Sequence, residues 1–323
     1  MKVIVTGVAG FIGSNLVRRL LAEGIEVTGI DNFSYGFREN LEDVLKNNSF
    51  HFIEADLCDK SILKFENADV ICHLASLKIP RYGNAYNTLD QNVSMIRNIV
   101  RFAIDKKARL IFASTSDVYG KNPALPFSED SDLVYGAPGV HRWIYAQSKL
   151  FGEQLMSAAH QDFGLEYAAA RIFSSYGPFQ HPEWWGGPQS VFIDKSFKKE
   201  PIPLHGDGLQ KRTFTYVDDT VEALYKMAVC DKSVNEIINV GSGIENEISI
   251  LALAEKIWKL IHGLDAEVPF EYIPYETFGR YEDVRSRVPD TAKLKSLLNV
   301  QCTTALDEGL QRTISWHRKR YGL

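Results

Sequence analysis

The chain has 323 residues, 45% hydrophobic and 24% charged, a composition typical of a globular protein with one large domain or two smaller ones. Its net charge of -5 and pI of about 5.9 give no reason to expect a nucleic-acid or membrane partner. The four cysteines have no paired spacing, so we expect neither disulfides nor a metal site. With no signal peptide and no apolar run near the ~20 residues of a membrane span, we expect a cytoplasmic protein.

Strand and helix patterns alternate through the first half of the chain. Lys2–Thr6 is a β-branched run that predicts a buried strand, and helical spacing of apolar residues follows as far as Leu21. Further strands are predicted at 25–30, 50–55, 68–74, 108–113 and 165–172, with helices at 88–106 and from the segment around Tyr145. This alternation indicates an α/β protein with a doubly wound parallel sheet.

The composition of the sequence changes after Gly177-Pro178, where prolines and glycines become frequent. Strand–helix alternation fades there, although helices are still predicted at 217–228, 248–261 and 304–317. We therefore expect a first domain over 1–177 and a smaller region over 178–323, with some segments of that region returning to the main sheet.

Three glycines, Gly7, Gly10 and Gly13, lie between the first predicted strand and the helix after it. In a dinucleotide-binding loop such glycines let the backbone approach a pyrophosphate, and the helix N-terminus contributes oriented N–H groups. Asp31 ends the second strand, where a carboxylate accepts hydrogen bonds from an adenosine ribose and would repel a 2′-phosphate. The pattern predicts NAD rather than NADP. The alternative is a tight turn that needs glycine only for its geometry.

Tyr145 and Lys149 are four residues apart in a predicted helix, so their side chains share one face, one turn apart. A free tyrosine has a pKa near ~10, too high for a general base at neutral pH. A neighbouring ammonium group stabilises phenolate, so Lys149 is expected to lower the pKa of Tyr145 and make it a base. Taken alone, this spacing is also common by chance on surface helices.

Five further segments follow in order along the chain: Asp56-Leu57, His73–Ser76 with Lys78 just beyond, Ser114–Gly120, Arg171–Pro178 and Gly206–Asp219. With the glycine loop and the Tyr145 pair, they resemble the extended short-chain dehydrogenase/reductase superfamily. More narrowly, they are similar to the NAD-dependent epimerase/dehydratase family, which acts on nucleotide sugars. The resemblance implies a Rossmann-type sheet in an NAD-binding domain over 1–177, and mainly nucleotide-sugar binding over 178–323.

The resemblance also implies roles for individual residues. Bound NAD would oxidise a sugar hydroxyl, usually at C4, while Tyr145 takes the hydroxyl proton and Thr115 hydrogen-bonds the same oxygen. Arg212 would bind the diphosphate, because a guanidinium fork matches phosphate oxygens. The implied cofactor contacts are Gly7, Gly10, Phe11, Ile12, Gly13, Asp31, Asn32, Asp56, Leu57, Leu74, Ala75, Ser76, Tyr145, Lys149 and Phe173. The implied substrate contacts are Lys78, Ser174, Val191, Arg212, Arg280 and Arg287.

The residues after Thr115 bear on what happens to the 4-keto sugar. Thr115, Ser116 and Asp117 resemble the Thr-Ser-Glu of members that decarboxylate or dehydrate it, where the acid assists at a neighbouring carbon. Arg287 falls where the decarboxylases have an arginine for the carboxylate, and Arg142–Tyr145 also resembles a UDP-glucuronate decarboxylase group. The trio, with Tyr145 and Lys149, is therefore predicted to be catalytic, and the outcome to be decarboxylation or dehydration.

Two departures from the family pattern leave alternatives open. Asp117 is one methylene shorter than Glu, so its carboxylate could cap its own loop instead, and simple 4-epimerisation is the second hypothesis. Ser174 stands where the family usually has an Asn that contacts the diphosphate. His181, Trp184 and Trp185 could be pocket wall or plain core.

Two other classes of protein are alternatives to such an enzyme. A non-catalytic dinucleotide-binding protein would have no need of Thr115, Tyr145 and Lys149 together, and a reductase would release its cofactor in each cycle. The family resemblance further implies a homodimer formed through the helices around 88–106 and 142–160. The expected ligands are NAD and a nucleotide-diphosphate sugar.

Overall fold

The computed structural model describes residues 1–59, 67–78, 84–183 and 187–322. Its strands are β1 (Lys2–Thr6), β2 (Glu26–Asp31), β3 (Phe50–Glu54), β4 (Val70–His73), β5 (Arg109–Thr115), β6 (Tyr167–Ile172), β7 (Ser175–Tyr176), β8 (Ile202–His205), β9 (Lys211–Thr213), β10 (Thr215–Tyr216), β11 (Glu236–Val240), β12 (Glu247–Ser249) and β13 (Phe270–Ile273). Its α-helices are α1 (Phe11–Ala22), α2 (Ala85–Lys106), α3 (Trp143–Phe163), α4 (Pro188–Lys198), α5 (Val217–Val229), α6 (Ile250–His262), α7 (Ala292–Leu298) and α8 (Leu306–Tyr321).

Seven strands form one parallel sheet in the order β11-β6-β5-β4-β1-β2-β3. The register places Thr6 opposite Ile30 on one side and His73 on the other. On the next strands, Thr115 lies opposite Ile172. The loops that follow β1, β2, β4, β5 and β6 therefore leave the sheet at the same edge, where a doubly wound fold binds its ligands.

Helices cover both faces of this sheet. One apolar cluster joins α1 and α5 to one face through Leu16, Val17 and Leu224, all fully buried. A second cluster joins α2 and α3 to the other face through residues such as Ile96 and Met156. Strands buried on both sides read as continuous apolar runs, which is why the sequence predicted them. The predicted doubly wound α/β fold is confirmed.

The second half of the chain adds three small strand pairs: β7 with β10, β8 with β13, and β9 with β12. The segment from Glu236 to Val240 lies at the edge of the main sheet, parallel to β6. Two helices here, α4 and α7, were not predicted. Pro188 occupies the start of α4, where a fixed φ suits a helix and the missing N–H costs nothing, so a proline-rich stretch concealed a helix start.

Among the residues that the structure describes, no helix is both long enough and apolar enough to span a bilayer.

Candidate active site

A cleft of about 740 Å³ runs along the edge of the sheet where the parallel strands end, and reaches into the second half of the chain. Gly7 follows β1, Asp31 ends β2, Leu74 follows β4 and Thr115 ends β5, and all four line this cleft. The topology therefore brings together residues that are far apart in sequence.

The glycine loop is closely packed. Gly7 has a φ of +70°, and a Cβ added there would lie 2.7 Å from the backbone nitrogen of Ala75. A Cβ at Gly13 would overlap the carbonyl oxygen of Gly7. Helix α1 begins directly after Gly10, so its first N–H groups face the cleft side of the loop. A narrow glycine cradle at a helix N-terminus fits the pyrophosphate of NAD.

Asp31 is held by the backbone on both carboxylate oxygens. One oxygen accepts from the N–H of Ala9 at 2.9 Å and the other from the N–H of Phe33 at 2.8 Å. Burial raises the pKa of Asp31 in spite of these bonds. Carboxylate oxygens retain further lone pairs, so Asp31 can also accept from the hydroxyls of a ribose, and it fits NAD better than a 2′-phosphate.

Tyr145 lies in the first turn of α3, beside Thr115 at the end of β5. Burial, together with the charge of Asp117, raises the pKa of Tyr145, while hydrogen bonding with Thr115 and Ser76 lowers it. The net rise is opposite to the direction expected from the spacing to Lys149. The reason is distance and burial: the Lys149 ammonium lies 5.9 Å from the centre of the Tyr145 ring, and desolvation is the larger effect.

Lys149 is itself buried, with 3% of its surface exposed. Its ammonium lies over the ring of Phe112, at 4.7 Å from the ring centre. Burial and the positive charge of Lys78 lower the pKa of Lys149 to about 7, and Glu153 one turn later raises it. A lysine that lines a cleft and has its pKa strongly lowered by burial is typical of a functional site.

A buried ion pair supports α3 beneath this site. Arg171 of β6 binds both carboxylate oxygens of Glu153, at 3.1 and 2.8 Å, and Ser114 of β5 donates to the same carboxylate. Both charged side chains are at most 5% exposed. Because the pair joins β6 to α3, it helps to hold the helix that carries Tyr145 and Lys149 against the sheet.

The other end of the site is a cluster of arginines and aspartates. Arg287 Nη1 lies 2.7 Å from Asp117 Oδ1, and Arg142 Nη2 lies 3.8 Å from the same oxygen. Asp283 is 3.8 Å from Arg142 and 3.5 Å from Arg212. Burial and the charge of Arg287 lower the pKa of Arg212 to about 9. The three guanidinium groups outnumber the two carboxylates, so the cluster attracts an anion.

Most of the residues proposed from the sequence line the cleft. Those that do are Gly7, Gly10, Phe11, Ile12, Gly13, Asp31, Asn32, Asp56, Leu74, Ala75, Ser76, Lys78, Thr115, Ser116, Asp117, Tyr145, Lys149, Ser174, Arg212 and Arg287. Four others do not: Leu57, Phe173 and Val191 are buried in apolar clusters, and Arg280 is exposed on the surface. Trp184 and Trp185 lie outside the described residues, whereas His181 lines the cleft.

Several residues of the charged cluster were given no contact from the sequence, although Arg142 belongs to the segment that resembles a UDP-glucuronate decarboxylase group. Arg142 bonds the hydroxyl of Tyr281, and Tyr275 donates to Asp283 at 2.7 Å. The rings of Tyr275 and Tyr281 stack at 5.0 Å. One signal was available: Arg142 precedes Tyr145 by three residues, a spacing that puts both on one helical face. Asp283 and the tyrosines carried no such signal. No group of three or more potential metal ligands occurs in the described parts of the chain.

Comparison with known proteins agrees with this geometry. The model of the NAD dependent epimerase/dehydratase family matches residues 3–241. A UDP-N-acetyl-alpha-D-glucosaminuronate decarboxylase of Bacillus cytotoxicus is 36% identical over 330 residues, covering 98% of each chain. UDP-glucuronic acid decarboxylase 1 of Arabidopsis thaliana is 34% identical, over 99% of this chain and 70% of that protein.

A solved structure is similar over its whole length. UDP-glucuronic acid 4-epimerase from Bacillus cereus, determined with UDP-glucuronic acid and NAD, superposes with a TM-score of 0.86 at 27% identity. The match covers 99% of this chain and 100% of that one. The 323-residue chain itself therefore belongs to the NAD-dependent epimerase/dehydratase family, and its cofactor is NAD.

Proposed function

We propose that the chain is an NAD-dependent decarboxylase of a UDP-linked hexuronate, with UDP-N-acetylglucosaminuronate and UDP-glucuronate as its candidate substrates. The observation that carries this proposal is the ion pair of Arg287 with Asp117, next to Arg142, at the sugar end of the cleft. A neutral hexose needs no second guanidinium beside the catalytic tyrosine. A hexuronate does, because its carboxylate must be bound in a buried site.

The charge of the cluster fits such a substrate. Arg142 and Arg287 each have a buried Nε without a hydrogen-bond partner among the described residues. A UDP-hexuronate brings a diphosphate and a carboxylate, which matches a cluster of three arginines that two aspartates only partly neutralise. The Bacillus cytotoxicus decarboxylase, similar over nearly the full length of both chains, supports the same substrate class.

The residues would divide the work as follows. NAD, when bound, accepts a hydride from C4 of the sugar and later returns it. Tyr145 takes the proton of the C4 hydroxyl, and Thr115 holds the C4 oxygen in place.

Decarboxylation follows from the ketone at C4. The substrate carboxylate is then β to a carbonyl, so the C5–C6 bond can break with release of carbon dioxide, and the electron pair of that bond moves through C5 onto the C4 oxygen. Hydrogen bonds from Tyr145 and Thr115 stabilise that enolate oxygen. C5 takes a proton from water, and Tyr145 returns its proton to the C4 oxygen as the carbonyl is reduced.

Asp117 would limit how tightly the substrate carboxylate is held. Arg287 is already paired with Asp117, so only part of its charge is available to the carboxylate. A carboxylate that is bound too well resists becoming neutral carbon dioxide, since binding that favours the ground state slows the chemical step. The negative charge of Asp117 near the substrate carboxylate would instead disfavour the bound ground state and so favour loss of carbon dioxide.

The test is to incubate the enzyme with UDP-glucuronate, UDP-N-acetylglucosaminuronate and UDP-glucose in deuterated buffer, and to identify products by NMR. We expect a UDP-pentose, carbon dioxide and deuterium at C5 from at least one of the uronates, and no net conversion of UDP-glucose. Conversion of a uronate into its C4 epimer without carbon dioxide would overturn the proposal.

The second candidate function is 4-epimerisation of a UDP-hexuronate. The shorter side chain of Asp117 and the similarity to the Bacillus cereus 4-epimerase favour it. Epimerisation needs the 4-keto sugar to turn over in the site before it is reduced on its other face. The same NMR experiment separates the two functions, because an epimerase retains all six carbons of the sugar.

We also propose a cytoplasmic homodimer that associates through the outer surfaces of α2 and α3. Tyr86 of α2 is 79% exposed, and Leu89 lies one turn later on the same face at 40%. Light scattering after size exclusion would measure the mass, and Tyr86→Glu with Leu89→Glu should give monomers. All four cysteines are free thiols, in keeping with a reducing compartment.

A further inference from the structure

Two aromatic side chains from opposite halves of the chain meet across the glycine-loop end of the cleft. Phe37 comes from the loop after β2, and His181 from the loop after β7. Their rings stack with centroids 5.0 Å apart and planes inclined by 26°. Both residues line the cleft. Neither takes part in the chemistry described above.

Phe37 is tied directly to the glycine loop. Its backbone N–H donates to the carbonyl oxygen of Ala9 at 3.2 Å, and the side chain of Asn40 donates to the same oxygen at 2.9 Å. Gly36 packs so closely that a Cβ there would lie 2.8 Å from Ala9. The position of the Phe37 ring is therefore set by the backbone that would contact a pyrophosphate.

The loop that carries His181 is tied to helix α1. Asn15 donates from its side chain to the carbonyl oxygen of Pro178 at 3.1 Å, and the guanidinium of Arg18 lies 4.2 Å from the centre of the Phe179 ring. The Nδ1 atom of His181 accepts from the N–H of Glu183 at 3.1 Å. Burial lowers the pKa of His181, so at neutral pH its ring is an uncharged stacking partner.

We infer that Phe37 and His181 form an aromatic clasp that retains the dinucleotide. Each ring is anchored to one wall of the glycine-loop end, and the two close over the segment where the pyrophosphate is bound at the start of α1. A dinucleotide can leave this end only if the rings separate. Retention matters because a reaction that removes a hydride and returns it to the same sugar must keep its reduced cofactor in place.

The clasp is tested by the rate at which the dinucleotide leaves the full-length enzyme, with no sugar present. Protein loaded with fluorescent etheno-NAD is mixed with excess NAD, and the loss of bound fluorophore is followed. Phe37→Ala and His181→Ala should each release it about tenfold faster than the wild type. The double variant should be no faster than the faster single variant, because each change alone already breaks the stack.

Two further variants separate the clasp from a general loss of structure. His181→Phe keeps an aromatic ring and should restore slow release, while Phe163→Ala removes a ring that is 68% exposed at the end of α3 and should change nothing. Unchanged release from both single alanine variants, or fast release from His181→Phe, would overturn the inference. The inference rests only on NAD binding, so an epimerase product in the NMR experiment would leave it intact.

Discussion

Asp117 and Arg287 form an ion pair of 2.7 Å between the end of the fifth sheet strand and a segment near the C-terminus. Both residues line the sugar end of the cleft. Asp117 follows Thr115, the proposed hydroxyl catalyst, by two residues, so in the proposed mechanism this pair would place the charge of an acidic substrate beside the oxidation site. In the proposed mechanism, the charges of Asp117 and Arg287 influence which product forms after C4 of the sugar is oxidised.

Loss of the Arg287 charge should act selectively on acidic substrates. Arg287→Met is expected to lower kcat/KM for a UDP-hexuronate by about 10- to 100-fold, the value of one charge-assisted hydrogen-bonded contact. Transient oxidation of UDP-glucose, followed as NADH absorbance, should not fall. Arg285→Met is the matched control, because Arg285 is an exposed arginine paired with Asp207 on the surface. Equal losses of activity on acidic and on neutral sugars would show that Arg287 does not bind the substrate carboxylate.

Tyr145→Phe should greatly lower turnover without loss of cofactor. The phenolic oxygen is the proposed proton acceptor, and removal of a general base lowers a rate by roughly 10² to 10⁴. NAD content after purification should match the wild type, since the ring itself remains. Tyr272→Phe, on an exposed residue of β13, provides the control. Near-normal turnover in Tyr145→Phe would remove this tyrosine from the mechanism, whatever the fate of the sugar.

Lys149 should make stability depend on pH in a defined window. Its pKa is about 7 in the folded protein and near the ordinary 10.5 when unfolded, so between these values the unfolded state binds more protons. Stability of the cofactor-free protein should therefore rise with pH across this window, by about 1.4 kcal/mol for each unit of pKa difference that is recovered. Below pH 7 Lys149 is protonated in both the folded and the unfolded state, so the folded state bears the full cost of burying its ammonium.

Lys149→Met removes that penalty. In urea titrations, the variant should exceed the wild type in free energy of unfolding most clearly at pH 6.5, less at pH 8, and little at pH 10. The exposed Lys46, changed to Met, should give no such trend. A constant difference at all three pH values would indicate that packing, rather than the ammonium, is responsible.

The segment that carries Arg287 is joined to the rest of the fold by buried hydrogen bonds outside the cleft. Tyr119 donates to Asn239 at 2.6 Å, Asn239 donates to the carbonyl of Phe127 at 2.8 Å, and Phe127 donates to the carbonyl of Val288 at 2.8 Å. This chain of bonds joins the loop that follows Asp117 to the residue after Arg287.

Tyr119→Phe should loosen this link. An unsatisfied Asn239 is expected to cost about 1 to 3 kcal/mol of stability. The informative measurement is the ratio of carbon dioxide released to 4-keto sugar formed, which should fall because Asp117 and Arg287 are no longer held together. NAD release should be unaffected. A lower melting temperature with an unchanged product ratio would limit Tyr119 to a structural role.

The sequence by itself determined the fold and led to the residues that are proposed to oxidise the sugar. Gly7, Gly10 and Gly13 occur at fixed spacing between a strand and a helix, and Tyr145 and Lys149 lie one helical turn apart. Both patterns are local, and their geometry follows from helix and strand periodicity. Alternating apolar runs predicted the parallel sheet for the same reason. Helices α4 and α7 escaped prediction because proline, glycine and short length concealed them.

Only the tertiary structure decided how charged groups meet. Asp117 is joined to Arg287, Arg142 to Asp283, and Phe37 to His181 by contacts that span much of the chain, and no local period encodes them. The pKa of Tyr145 shows the same limit. The sequence spacing predicted a lowered pKa for Tyr145, because it shows that the ammonium of Lys149 is near. It does not show how deeply the tyrosine is buried. Desolvation depends on everything packed around the hydroxyl, and that is a property of the folded molecule.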